Sequence, residues 1–317
     1  MQKLKIAILS YRSAQFGGGQ GVYVRDISFA LSLLGHEVDV ISGPPYPNLQ
    51  QGVNLIELPG LNLFETFSFK DRLKKFLNKK NKKLNEYYEF FSVLFGGFPE
   101  PKTFGNRVNN YLKTNDHYDL IIDNQSLSYG MVEIQKRFPF IEMIHHPITM
   151  DFKHEMKVSK KIKYKVSRYR WYSFLKMQKK VAPSIKRIIT PSESSKNGII
   201  EDLNCKNTNI TVINNGLDTD EFSPIKGTER NKFRLITTAS ADVPLKGLDY
   251  TLKALNILKN NFELNNPSIH PTASISNDSI IGKNVSIGAN SVIGPNCEIG
   301  NNVIIKANCS IVQDVKI

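Results

Sequence analysis

Isoleucine stands at positions 269, 275, 281, 287, 293, 299, 305, 311 and 317, nine times at a spacing of six without a slip. Neither an α-helix, at about 3.6 residues per turn, nor an ordinary strand, at two, returns side chains to one face with that period. A short fixed repeat marks a chain that stacks one unit on the next, because a single unit cannot bury its apolar face alone. The position four residues after each isoleucine is constrained as well: Ala273, Ser279, Val285, Ser291, Cys297, Val303, Cys309 and Val315 are all small or β-branched. Immediately upstream, "ALNILKNNF" (254–262) has its apolar residues at helical spacing. Two grammars therefore meet near residue 262.

The first two thirds follow a third grammar. "LKIAILS" is a short apolar run suited to a strand buried on both faces. A glycine loop follows, then a helix from about Gly21 with Ile27, Ala30, Leu31 and Leu34 on one face, ended by Gly35. "HEVDVIS" reads as the next strand, and the pattern returns in "YDLIIDNQ", "FIEMIHH", "IKRIITPSESS" and "ITVINNG". Strands alternating with helices predict an α/β fold, a Rossmann-like doubly wound parallel sheet over residues 1–225.

Two features sit where such a sheet binds ligands. The loop Gly17-Gly18-Gly19-Gln20-Gly21 opens a helix, where unpaired amides and the helix dipole suit an anion. It lacks the G-x-G-x-x-G spacing of dinucleotide sites, and a plain tight turn is the alternative reading. His145 and His146 follow a strand at its carboxyl end, the edge at which open parallel sheets hold ligands. A neutral imidazole there can accept a proton or bond a sugar hydroxyl, or can simply face solvent.

Charge narrows the partners. The chain of 317 residues carries 42 basic against 29 acidic residues, a net +13. Lys153 to Arg187 holds thirteen Lys or Arg against Glu155 alone, and Lys70 to Lys83 holds eight against Asp71 alone. Such clusters are either solvated helix faces or attractors of polyanions. With Phe90, Phe91, Phe95 and Phe98 close to the second of them, an anionic membrane surface fits better than nucleic acid. No apolar run reaches membrane-spanning length, the N-terminus is too short in its apolar part for a signal peptide, and three cysteines at Cys205, Cys297 and Cys309 form no metal-type set. A cytoplasmic setting is expected, with peripheral contact at the inner face of the membrane.

The segments "FGGGQGVYVRDISFALSLLGHEVDVIS", "MIHHPITMD", "RYRWYSFLKMQKKVAPSIKRIITPSESSKNGI" and "VINNGLDTDEFSP" together resemble the N-terminal half of a family-4 glycosyltransferase. The resemblance implies a retaining, nucleotide-sugar-dependent enzyme of GT-B architecture with no further cofactor or metal, acting on a glycan or glycolipid acceptor. It implies that Gly17, Gly18 and Gly19 lie beneath the donor phosphates or acceptor, and that His145 faces the transferred sugar. Ser192 and Glu193 would line the cleft, and Asn215 and Gly216 would shape the hinge. "FRLITTASADVPLKGLDYTLKALNIL" is similar to the start of the family's donor domain, with Lys246 as the cation that neutralises the donor diphosphate. Ser240, Ala241 and Asp242 stand where a partner arginine is usual, and Glu263 and Glu298, the only glutamates after Lys246, do not reproduce the family's E-x(7)-E element. The expected consequence is a compromised donor site.

The hexads resemble the repeat of left-handed parallel β-helices, in which three hexads make one coil, isoleucines point inward, and Asn and Gly at the corners suit left-handed backbone. Proteins with this repeat are commonly trimeric sugar or amino-acid acyltransferases that use acetyl-CoA or an acyl carrier. His270 is the only histidine near the coils and reads as structural. The expected organisation is 1–225 as the acceptor domain, 226–262 as a truncated start of a donor domain, and 263–317 as a short β-helix that trimerises. The leading function is hexosyl transfer in cell-surface polysaccharide synthesis. The alternatives are a hexapeptide-repeat acyltransferase and a non-catalytic oligomeric sugar-binding protein.

Overall fold

The computed structural model describes residues 2–14, 19–66, 68–158, 161–225, 227, 235–236, 247–265 and 267–317. Gly17, Gly18, Lys246 and the stretch Ser240 to Asp242 lie outside these residues. The chain divides into two compact units, Met1–Glu229 and Arg230–Ile317.

In the first unit, β1 (Lys5–Ser10) leads through α1 (Gly19–Leu33) to β2 (Glu37–Ser42) and β3 (Asn54–Glu57). Three helices follow, α2 (Phe69–Asn78), α3 (Leu84–Leu94) and α4 (Glu100–Tyr111), before β4 (Leu120–Asn124), α5 (Tyr129–Ile134) and β5 (Phe140–Met143). Then come α6 (Thr149–Val158), α7 (Ile162–Trp171), α8 (Leu175–Val181), β6 (Ile188–Thr190), α9 (Glu193–Leu203) and β7 (Ile210–Val212). The seven strands form one parallel sheet in the order β3-β2-β1-β4-β5-β6-β7. The order reverses between β1 and β4, and the carboxyl ends of the strands at such a switch point are where open α/β sheets hold ligands.

The doubly apolar strands explain the layers. Successive residues of β1 point to opposite faces. Ala7 and Leu9 join the larger core with Phe104 and Val108 of α4, Met131 of α5, Val181 of α8 and Ile199 of α9. Ile6 and Ile8 join the smaller core with Val24 of α1 and Val38 and Val40 of β2. Each such large side chain removed from water contributes about 1.5–3 kcal/mol. Gly35 ends α1 as read, with φ +89° and its amide donated to Ser32 O. The edge strand β3 was not anticipated. "NLIE" is four residues long, and its two apolar side chains are only half-buried.

The aromatic group beside the basic cluster divides between core and surface. Phe90 and Phe98 are buried, Phe90 stacked on Phe76 at 4.3 Å and Phe98 on Trp171 at 4.9 Å. Phe91 and Phe95 are exposed, as are Phe69, Leu77 and Leu84. Among the described residues, no helix is long and apolar enough to cross a membrane.

In the second unit, α10 (Leu248–Asn265) runs three residues beyond the helical spacing read in the sequence. Seven two-residue strands follow: β8 (Ser274–Ile275), β9 (Ile280–Ile281), β10 (Ser286–Ile287), β11 (Val292–Ile293), β12 (Glu298–Ile299), β13 (Ile304–Ile305) and β14 (Ser310–Ile311). They fall in turn into three small parallel sheets, and every pair joins residues eighteen apart, such as Ile293 with Ile275 and with Ile311. Ile287, Ile293, Ile299 and Ile305 are buried with Val285 and Cys297, whereas Ile269 and Ile317 are about half exposed. Ser291 is also buried, donating to Lys306 O at 2.7 Å and accepting from the Cys309 amide at 3.2 Å.

The corner residues divide the role expected of Asn and Gly together. Asn284, Asn290, Asn296, Asn302, Asn308 and Asp314 take the left-handed conformation, at φ of 56–63°. Their side chains bond in the same eighteen-residue step, Asn284 to Asn302 at 3.2 Å and Asn296 to Asp314 at 3.2 Å. The glycines do not adopt positive φ here. A Cβ at Gly282 would lie 2.6 Å from the Gly300 carbonyl, and one at Gly288 would lie 2.4 Å from Ala307 N, so they are required by close backbone approach.

Candidate functional site

The carboxyl edge of the first sheet gathers side chains from four connections. At the end of β4, the buried Asp123 carboxylate accepts from Ser126 N at 2.9 Å, Ser126 Oγ at 2.7 Å and Leu127 N at 3.3 Å. This anchors a turn in which Gln125 and Leu127 both have positive φ, 60° and 47°. Non-glycine residues there cost about 1 kcal/mol each or more, so the turn persists because its partners over-determine it.

That turn holds the residue that sequence placed at the centre. Gln125 Oε1 accepts from His145 N at 2.9 Å, and Gln125 Nε2 donates to His146 O at 2.7 Å. The His145 ring lies 2.8 Å by Nε2 from Asn124 Oδ1, and it meets Tyr23 of α1 edge-on at 4.7 Å. Burial, aided by the charge of His146, lowers the His145 pKa to about 4, so its imidazole is neutral at physiological pH. From β6, Ser192 caps α9 by accepting from Ser195 N at 3.1 Å, and Ser195 Oγ donates to His145 O at 2.9 Å. Ser192 and His145 therefore belong to one bonded cluster. Glu193 is exposed in the first turn of α9.

Among the described residues, the remaining sequence candidates take no part in these hydrogen bonds. Gly19 begins α1 with nothing within 4 Å of its Cβ position. The close approach falls instead at Gly21, where a Cβ would meet Ala14 O at 2.5 Å. Asn215 and Gly216 are exposed after β7, where the neighbouring Asn214 donates to Pro191 O at 2.9 Å. His270 is exposed, with Nδ1 engaged by Thr272 Oγ1 at 3.0 Å and Thr272 N at 3.2 Å, within its own turn. Among the described residues, no group of His, Cys, Asp or Glu is arranged to hold a metal ion.

Sequence reading missed Asn124, Gln125 and Tyr23. The signal was present for the first two, a polar pair directly after an apolar strand run. A buried acid pair was missed as well. Asp123 and Glu142 are register partners on β4 and β5, and burial raises both pKa values, Glu142 further because Asp123 lies beside it. A cavity of about 430 Å³ between α6 and α9 is lined by Met150, Lys153, His154, Asn197, Gly198 and Asp202, and none of the sequence candidates lines it.

A doubly wound α/β unit with its polar cluster at the switch point is the class that this fold and site define. Residues 17–221 match the family described as Glycosyltransferase Family 4, and the chain belongs to that family. It is 39% identical over 259 residues to the MMP alpha-(1->4)-mannosyltransferase of Mycolicibacterium hassiacum, which covers 81% of this chain and 62% of that protein. The chain thus spans less than two thirds of the length of that relative. Among solved structures, it is similar to a glycosyltransferase from Rickettsia africae at 14% identity and a TM-score of 0.38, over 89% of this chain and 53% of that one. It is also similar to the catalytic domain of starch synthase IV from Arabidopsis thaliana, at 14% identity and a TM-score of 0.41, over 88% and 63%.

Proposed function

We propose that this chain is a retaining glycosyltransferase-type protein that keeps the acceptor half, of the kind that transfers a hexose from a nucleotide-sugar to a glycan or glycolipid in cell-surface polysaccharide synthesis, with a donor site too incomplete for turnover. The observation that carries this reading is His145, held neutral at the carboxyl edge of the sheet beside the start of α1. A neutral imidazole bonds a sugar hydroxyl without adding charge next to a developing oxocarbenium ion. Gly17, Gly18 and Gly19 would let a phosphate or an acceptor approach the α1 amides, and Lys246 would oppose the leaving diphosphate. Ser192 and Glu193 would line the cleft, with Asn215 and Gly216 at its hinge.

In this reading residues 1–225 are the acceptor domain, 226–262 begin a donor domain, and 263–317 form a left-handed β-helix that assembles three chains. The eighteen-residue pairing step and the inward isoleucines support the β-helix. The acyltransferase alternative ranks behind, because Thr272 already engages His270, the histidine that opens the hexad segment. The cytoplasmic face of an anionic membrane is the proposed location.

In this reading the donor side does not reproduce the E-x(7)-E element whose acids would hold ribose and sugar, Glu263 and Glu298 being the only glutamates after Lys246. Losing such charge-assisted hydrogen bonds costs several kcal/mol, a few orders of magnitude in affinity. Calorimetric titration with UDP- and GDP-sugars is expected to give millimolar binding at best and no turnover. Micromolar affinity that disappears in Lys246→Ala would refute the incomplete donor site.

A further inference from the structure

We propose that Asn124 is a positioning residue that fixes the tautomer of His145, making Nδ1 a hydrogen-bond acceptor that selects a free hydroxyl on the sugar bound there. This rests on the reading of His145 as a sugar contact.

Asn124 ends β4 and His145 follows β5, and the two strands are parallel neighbours in the sheet. The pairing sets the two side chains against each other, with Nε2 2.8 Å from Asn124 Oδ1. A carbonyl oxygen only accepts, so Nε2 carries the ring hydrogen. A neutral imidazole has one such hydrogen, and Nδ1 is left with its lone pair.

The rest of the clamp fixes the main chain that carries the ring. Gln125 bonds the main chain on both sides of the ring, at His145 N and His146 O, and Ser195 Oγ donates to His145 O. Tyr23 packs edge-on against the imidazole. Asn124 is buried, and its Nδ2 has no hydrogen-bond partner among the described residues. With the amide turned over, Nδ2 would face Nε2 and the hydrogen would move to Nδ1, so the two orientations predict opposite tautomers.

The chemical consequence is directional. An acceptor at Nδ1 takes a hydrogen from a ligand hydroxyl, and a deoxy or O-methylated sugar at that position offers none. A site built around one such bond discriminates against the analogue lacking it, because its own polar atom is left unpaired.

The test uses the full chain labelled with ¹⁵N at histidine, with the His145 signals assigned by their loss in His145→Gln. Long-range ¹H–¹⁵N correlation is expected to show unprotonated Nδ1 and protonated Nε2 from pH 5.5 to 8. Asn124→Asp keeps an acceptor at Nε2 but adds negative charge, so the tautomer should persist while the imidazole pKa rises by about one unit or more. Asn124→Leu removes the acceptor and should give a mixture of tautomers. A hydrogen on Nδ1 in the wild type overturns the proposal, as does an unchanged tautomer in a folded Asn124→Leu protein. If that variant does not fold, an unshifted pKa in Asn124→Asp overturns it. Addition of UDP- or GDP-sugar, raised well above the dissociation constant that calorimetry gives for the same sample, tests the underlying reading separately. Wild-type Nδ1 should move on addition of the parent sugar and not of its deoxy series. If no sugar moves it, the assignment of His145 to sugar binding falls, while the tautomer result stands by itself.

Discussion

Glu100, in the first turn of α4, is 9% exposed, and one carboxylate oxygen has no hydrogen-bond partner among the described residues. Burial pushes its pKa from the ordinary 4.5 up to about 7, with the Glu89 carboxylate adding to the rise. Its own backbone amide and the guanidinium groups of Arg12 and Arg107 oppose it. Between these two values the folded chain keeps a proton that the unfolded chain has released. Stability therefore falls as pH rises through that window. The difference of 2.5 units, at about 1.36 kcal/mol each, amounts to about 3 kcal/mol in full, and to about 2.5 kcal/mol between pH 5 and pH 8. Glu100→Gln preserves the volume and the carbonyl acceptor and removes the titration. Trp171, the one tryptophan, stacks on the buried Phe98 and reports unfolding of this unit by fluorescence. Urea unfolding of both proteins from pH 5 to 8 should give stability curves that diverge by about 2–3 kcal/mol, the wild type losing more. The Asp123–Glu142 pair adds the same slope to both proteins and cancels in the comparison. Parallel curves would show that Glu100 is not held protonated in the folded state.

Two further outcomes concern the surfaces. The basic segment Lys70 to Lys83, with Phe69, Leu77, Leu84, Phe91 and Phe95 exposed on and beside it, is expected to bind anionic liposomes in a salt-sensitive manner. At about 1 kcal/mol for each basic residue, replacing Lys79, Lys80, Lys82 and Lys83 by Ala should weaken sedimentation about a thousandfold, and equal binding to neutral liposomes would contradict the electrostatic account. Trimerisation through the hexad segment is expected because its outward faces carry exposed Ile280, Val292, Ile304 and Val312. Light scattering at micromolar concentration should report three chains, and a monomer would count decisively against assembly.

Local periodicity made the architecture legible. Apolar runs with turn residues between them located six of the seven strands, because doubly buried strands must be continuously apolar. The six-residue repeat likewise announced the pairing step, since every third hexad meets the same neighbour. What the sequence could not state were relations between segments that only folding brings together. The short edge strand β3 takes its identity from pairing with β2 rather than from its own composition. Phe90 and Phe91 are adjacent and chemically alike, yet one stacks on Phe76 and the other faces outward, because the helix points them in different directions. Glycine and asparagine at the hexad corners read as equivalents until the neighbouring strand supplied the contact that only glycine permits. His145 was visible as a histidine at a strand end. Its neutral state, and the grip of Asn124 and Gln125 on it, required two strands twenty residues apart in sequence to lie side by side and partly bury the ring.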